Sequence, residues 1–186
     1  MSTSINTGQD TIALGSGRGG SFLRRYRRNR VYAFAKRSLD IFAVLVSAPV
    51  TIPIIAFLSL LIRGDGGVAL YRQDRLGKNG RVFTLWKLRT MVSDSERALA
   101  EYLSQNPEAA HEWRENQKLR RDPRVTRLGE FMRKHSLDEL PQLWNILIGD
   151  MSLVGPRPML PDQEALYPGD AYFLMRPGLT GLWQVS

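Results

Sequence analysis

The chain of 186 residues contains no cysteine and only two histidines, His111 and His135. Disulfides and thiolate metal sites are thereby excluded, and a histidine-rich metal centre with them. No Walker-type phosphate loop is present to mark a nucleoside triphosphatase. Gly15-Ser16-Gly17-Arg18-Gly19-Gly20 fits a GxGxxG spacing, but no strand precedes it and no βαβ unit surrounds it, so a dinucleotide site is not expected there. Internal repeats are also lacking. Acidic charge is scarce at the start: residues 1–37 carry eight Lys or Arg against Asp10 alone, nearly the whole net charge of +8. Such an arm suits anionic lipid headgroups or nucleic acid. Nucleic acid is disfavoured, since only Tyr26 and Tyr32 interleave aromatic with basic residues.

What the chain does have is one long apolar run, Leu39 to Ile62, whose sole charge is Asp40. As a straight helix it would measure roughly 36 Å, against a hydrocarbon core of about 30 Å. Pro49 and Pro53 lie at its middle, and each removes a backbone donor. Ser47 and Thr51 stand nearby to satisfy freed backbone groups. Both flanks are basic, the second through Arg63, Arg72, Arg75, Lys78, Arg81, Lys87 and Arg89. Cytoplasmic flanks are the ones enriched in Lys and Arg, which favours both ends on one side. From the residues alone, a kinked single span and a re-entrant hairpin broken near Pro49–Pro53 both fit.

Beyond the apolar run, residues 69–91 alternate as strands around Gly77-Lys78-Asn79-Gly80, which predicts a β-hairpin. Its second arm carries Lys87 and Arg89 on one face. Helices are expected from Ser93 or Asp94 to Gln105, from Pro107 to about Arg120, and over 126–135. The fold class is therefore α+β, mainly helical. Residues 1–35 form a disordered basic arm, 36–63 the membrane helix and 64–186 a small domain holding the hairpin.

Asp138 and Glu139 sit between leucines at a helix entrance, where carboxylates need partners. Ser136 and Glu139 have capping-box spacing; a helix opening at Pro141 is the rival register. Neighbouring residues on a helix point about 100° apart, unlike a glycosidase pair flanking one bond. They suit a division of labour, with one carboxylate attacking or binding metal while the other orients it. As a bare motif the pair would do no more than complement a helix dipole. Lys87, Arg89, Arg133 and Arg157 are cations in segments able to converge on them. Cations around a carboxylate mark a site for an anionic phosphate substrate with a divalent metal.

Several blocks carry a resemblance: Lys36-Arg37-Ser38-Leu39-Asp40, Tyr71 to Gly77, Phe83 to Met91, Asp122-Pro123-Arg124-Val125-Thr126, Ser136 to Leu143, Gly149 to Pro158, and Arg176 to Gly181. Over about 36–186 the chain resembles the bacterial sugar transferases, monotopic polyprenyl-phosphate phosphoglycosyl transferases. The Asn106–Arg120 insert looks most like exopolysaccharide-initiating members that transfer hexose 1-phosphate. The resemblance implies transfer of a sugar 1-phosphate from a UDP-sugar to undecaprenyl phosphate, with release of UMP. It implies Asp138 as nucleophile, Glu139 as dyad partner, and Mg²⁺ at the pair. Lys87, Arg89 and Arg133 match phosphate-handling positions, and Pro156-Arg157-Pro158 a segment near the nucleotide. It also implies a re-entrant membrane helix, a site at the cytoplasmic face of the bacterial inner membrane amid membrane lipids, no nucleic-acid partner, and a monomer or homodimer. Two departures stand out. Ile52-Pro53, with an added Pro49, replaces the family's usual Ser-Pro, so Thr51 or Ser47 is expected to substitute at the break. The chain stops at Trp183-Gln184-Val185-Ser186, inside a motif that normally continues, so a truncated product is expected. The competing reading is a non-catalytic membrane-anchored interaction protein, its acids serving as helix caps.

Overall fold

The computed structural model describes residues 30–64, 67–167 and 171–181. The expected tail over residues 1–29 and the motif at 183–186 lie outside them. Helix α1, Arg30–Arg63, is followed by strand β1, Leu70–Leu76, and strand β2, Val82–Leu88. Then come α2, Ser95–Gln105; α3, Pro107–Asn116; α4, Arg127–Lys134; and α5, Gln142–Ile148. Strands β3, Ser152–Val154, and β4, Gly178–Thr180, close the described chain. Helix dominates strand, as the α+β reading requires.

α1 begins at Arg30, six residues before the expected start of the membrane helix at 36, because Arg30 to Ala35 contain no helix breaker. It also runs helical through Pro49 and Pro53, so the expected break is not an interruption of the helix. The two prolines deprive the carbonyls of Leu45 and Pro49 of their usual donors. Ser47 does not supply one to either: its hydroxyl donates to the Val44 carbonyl, at 3.0 Å.

One face of α1 rests on the domain near both of its ends. Near its middle, Val44 packs with Phe83, Leu85, Ile146 and Met151. Toward the end, Leu58 and Ile62 pack with Ala69, Leu88 and Met132. The opposite face, including Leu39, Phe42, Val46, Val50, Phe57 and Leu60, is exposed and apolar. Asp40 explains its presence in an apolar run. Buried at 4% exposure, it accepts from Ser152 Oγ at 2.8 Å and from the Leu153 amide at 3.2 Å. Lys36 joins it from one turn earlier, at 3.5 Å, and also donates to Ser152 Oγ. Arg37 donates to the carbonyls of Ile146 and Leu147 at 2.5 and 2.8 Å, placing a cation on the C-terminal end of α5.

The hairpin forms as expected, with Leu70 opposite Leu88 and Leu76 opposite Val82. Asn79 and Gly80 take positive φ in the turn. α3 ends four residues short of the expected Arg120. Gln117 adopts the left-handed conformation, and its amide closes on the Trp113 carbonyl at 2.9 Å.

The edge of β2 not used by β1 is taken by a side chain. Asn145 of α5, wholly buried, donates to the Thr84 carbonyl at 2.8 Å and accepts from the Trp86 amide at 3.2 Å. It thus stands in for a third strand and locks α5 to β2. Asn145→Ala would leave a buried donor and acceptor unpaired. The expected loss is about 2–4 kcal/mol of stability, read as a lowered midpoint of thermal or denaturant unfolding in detergent.

Candidate active site

Lys87 is the next residue on the β2 face that buries Phe83 and Leu85, one position beyond the last core contact. There it meets a single 3₁₀ turn, Leu137–Glu139, held between α4 and α5. The expected capping box at Ser136 does not form. Ser136 sits in the left-handed region at φ 55° and makes no side-chain cap, and the α-helix starts after Pro141, close to the rival register. The reason is geometric: α4 must end at Lys134 and the chain must turn sharply into the acids. Glu139 takes the Lys87 ammonium at 2.7 Å.

Asp138, at 8% exposure, is the buried member of the pair. Burial pushes its carboxyl above the usual carboxylate range, with the Glu139 charge adding to the rise, while Lys87 and Arg133 oppose it. Arg133 reaches the same cavity because α4 packs tightly on the strand extension after β2. A Cβ on Gly129 would lie 2.0 Å from the Thr90 carbonyl oxygen, so only glycine permits this approach. One turn along, Arg133 Nε donates to Thr90 Oγ1 at 2.9 Å. Arg89 donates to Ser93 Oγ at 3.1 Å and to the Ile62 carbonyl near the end of α1 at 3.3 Å.

A cavity of ≈ 750 Å³ is lined by Asp138, Glu139, Lys87, Arg89 and Arg133 together with Ser136, Thr90 and Arg124. Five of the eight substrate, dyad and metal positions expected from sequence thus meet in one space. Pro156, Arg157 and Pro158 do not line it. Arg157 is exposed and close enough to Arg75 to help lower that guanidinium's pKa, after burial, the larger cause. The Pro158 carbonyl accepts from Arg75 Nη1 at 3.1 Å. Pro156 instead borders a separate cavity of ≈ 400 Å³ beside Lys36 and Arg37. The expected convergence of Arg157 on the acids is therefore not seen; the turn at Gly155–Pro156, tied to β4, carries it away. Sequence reasoning assigned no role to Thr90, Asn145 or Arg124. An asparagine inside an apolar helix was the available signal for Asn145, as was the Asp122–Thr126 block for Arg124.

The site pairs a desolvated carboxylate with three cations, an arrangement able to bring an anion onto an oxygen nucleophile. Comparison with known proteins agrees with this class. The bacterial sugar transferase family model matches residues 31–186, and the chain belongs to that family. A UDP-galactose-lipid carrier transferase from Erwinia amylovora is 47% identical over 155 residues, covering 82% of this chain and 32% of that protein. An undecaprenyl-phosphate galactose phosphotransferase from Salmonella typhimurium is also 47% identical over 155 residues, with 33% of its length covered. The exopolysaccharide production protein ExoY from Rhizobium meliloti is 47% identical, with 69% covered. The chain thus spans about a third of the first two.

Because the folded value of Asp138 lies above its unfolded one, ionisation opposes folding. That penalty is absent when acid protonates both states and fully present at neutral pH. Asp138→Asn removes it. In chelator at pH 7 the variant is expected to melt no lower than the parent, with any gain vanishing below about pH 4. Thermal unfolding in detergent at the two pH values checks this.

Proposed function

We propose that the chain is a phosphoglycosyl transferase, moving a hexose 1-phosphate from a UDP-hexose to undecaprenyl phosphate and so initiating exopolysaccharide assembly. The observation that carries this reading is the buried Asp138 sharing one cavity with Lys87, Arg89 and Arg133. The names of the relatives supply the donor and acceptor classes.

In the first step an Asp138 oxygen attacks the sugar-bearing phosphorus. The Asp138 O–P bond forms, the bridging P–O bond breaks, and UMP leaves with its electron pair. In the second, a phosphate oxygen of undecaprenyl phosphate attacks the same phosphorus, and the Asp138 carboxylate departs. Atoms balance and no net proton is required. Lys87, Arg89 and Arg133 offset the repulsion between carboxylate and phosphate, and Lys87 holds Glu139 beside the reacting centre. Asp138 and Glu139 offer two hard oxygen donors on one turn, a set that fits Mg²⁺, which takes one or two carboxylates plus substrate phosphates. When bound there, Mg²⁺ would neutralise phosphate charge.

α1 is the one helix among the described residues long and apolar enough to cross a membrane. Yet Lys36 and Asp40 toward its start, Val44 near its middle, and Leu58 and Ile62 near its end all pack on the same domain. This supports a helix that enters the membrane and returns, with the domain, the basic flanks and the site on the cytoplasmic face of the inner membrane. The bend would be shared along the Pro49–Pro53 stretch. The absence of native cysteine makes the test clean. Cysteines placed at Arg30 and Gly64 are expected to label from the same side of oriented vesicles; labelling from opposite sides would establish a span instead.

The activity test mixes membrane-bound protein with UDP-hexoses, Mg²⁺ and undecaprenyl phosphate, and measures UMP. Release is expected to fall roughly 10⁴-fold or more in Asp138→Asn; undiminished release would remove Asp138 as nucleophile. The ionised carboxylate attacks, so kcat/KM should rise with pH as Asp138 deprotonates, along a limb that burial moves up and bound Mg²⁺ moves down. Lys87→Met removes an opposing cation, and the limb of its residual activity is expected at higher pH still.

A further inference from the structure

The phosphate-handling cations occupy only part of the ≈ 750 Å³ cavity. Its wall continues through Ser93, Ser95, Glu96 and Arg124. Arg124 is built in with unusual care. Its Nε and Nη2 grip the Asp122 carboxylate at 2.8 and 2.7 Å, and its guanidinium lies 4.9 Å from the Trp113 ring. Its side chain is 17% exposed. Asp122 is pulled below the usual carboxylate range by these bonds, and Arg124 is raised by them.

This clamp neutralises the arginine's charge, so Arg124 is ill suited to be a further phosphate clamp. A guanidinium whose charge is offset by a carboxylate stays protonated and still donates hydrogen bonds in a fixed plane. Glu96 points the same way: a carboxylate repels phosphate but accepts from hydroxyls. Position fits as well. The Val92 amide donates to the Arg124 carbonyl at 2.8 Å, five residues beyond Lys87 along an extended segment. That is roughly 16 Å of backbone, and Lys87 and Arg124 line the same cavity. Trp113 comes from α3, within the insert over residues 106–120.

We propose that Arg124, held by Asp122 and Trp113 and accompanied by Glu96, reads the hydroxyls of the donor hexose, so that α3 sets which sugar is transferred. This rests on the transferase reading above. The loss of one such donor is expected to cost the preferred sugar selectively, because a site built to bond a hydroxyl discriminates by leaving it unpaired.

The test measures kcat/KM of the membrane-bound full chain for UDP-glucose, UDP-galactose and their 2-acetamido counterparts, with undecaprenyl phosphate as acceptor. UDP, which carries no sugar, serves as competitive inhibitor. Arg124→Ala and Trp113→Ala are expected to collapse the ratio between the best and second donors by at least about tenfold, while UDP inhibits within about twofold of its parental constant. Trp113→Phe, which keeps an aromatic face under the guanidinium, should retain the ratio. Equal slowing of all donors, or weakened UDP inhibition in step with the loss, would show a purely structural clamp and overturn the proposal. A parent chain that turns over none of the donors would defeat the transferase reading itself, and this inference with it.

Discussion

The arrangement depends on a carboxamide lying against the bare edge of a strand. A two-stranded hairpin is marginal alone, and the outer edge of β2 needs partners for the Thr84 carbonyl and the Trp86 amide. Asn145 provides both from a helix. Everything chemical follows from that docking. α5 is held beside β2, so the turn just before it delivers Asp138 and Glu139 to the end of the strand where Lys87 emerges. The Asn145 carbonyl then gathers the amides of Gly149, Asp150 and Met151, which ends α5 and starts the return toward β3.

A second constraint holds the carboxylates apart in character. Two acids adjacent in sequence end with different roles because one contacts a cation and the other is desolvated. Glu139 is neutralised by Lys87, whereas Asp138 is buried without that direct contact. The molecule accepts a local electrostatic penalty at Asp138, which the proposed role of this carboxylate would explain. The same economy appears at Asp40, whose burial is matched bond for bond by Ser152, Leu153 and Lys36. There the carboxylate is satisfied and structural.

Local signals in the sequence marked the hairpin, with its Lys78-Asn79-Gly80 turn, and helices α2 and α4, whose N-cap positions are Asp94 and Thr126. They were legible because turn and cap preferences act within a few residues. The site was partly legible: charge type and spacing pointed to Asp138, Glu139, Lys87, Arg89 and Arg133. Arg157 was misplaced because convergence is a tertiary property, and the Gly155–Pro156 turn directs that segment elsewhere. The capping box at Ser136 failed because a left-handed residue there reverses the chain, a backbone choice that spacing alone does not report. Asn145 and Gly129 were silent, since their importance lies in what approaches them. α1 showed the opposite problem: its prolines suggested an interruption, while the helix runs through both of them.

Arg89 ties two regions that would otherwise be independent. One of its amino groups donates to the Ile62 carbonyl near the end of α1 and another to Ser93 Oγ in the cavity wall. On the proposed topology, how deeply α1 rides in lipid becomes a mechanical input to substrate geometry. Bilayer thickness and lateral pressure would then tune turnover through a single guanidinium, making the surrounding lipid composition a determinant of rate alongside substrate supply.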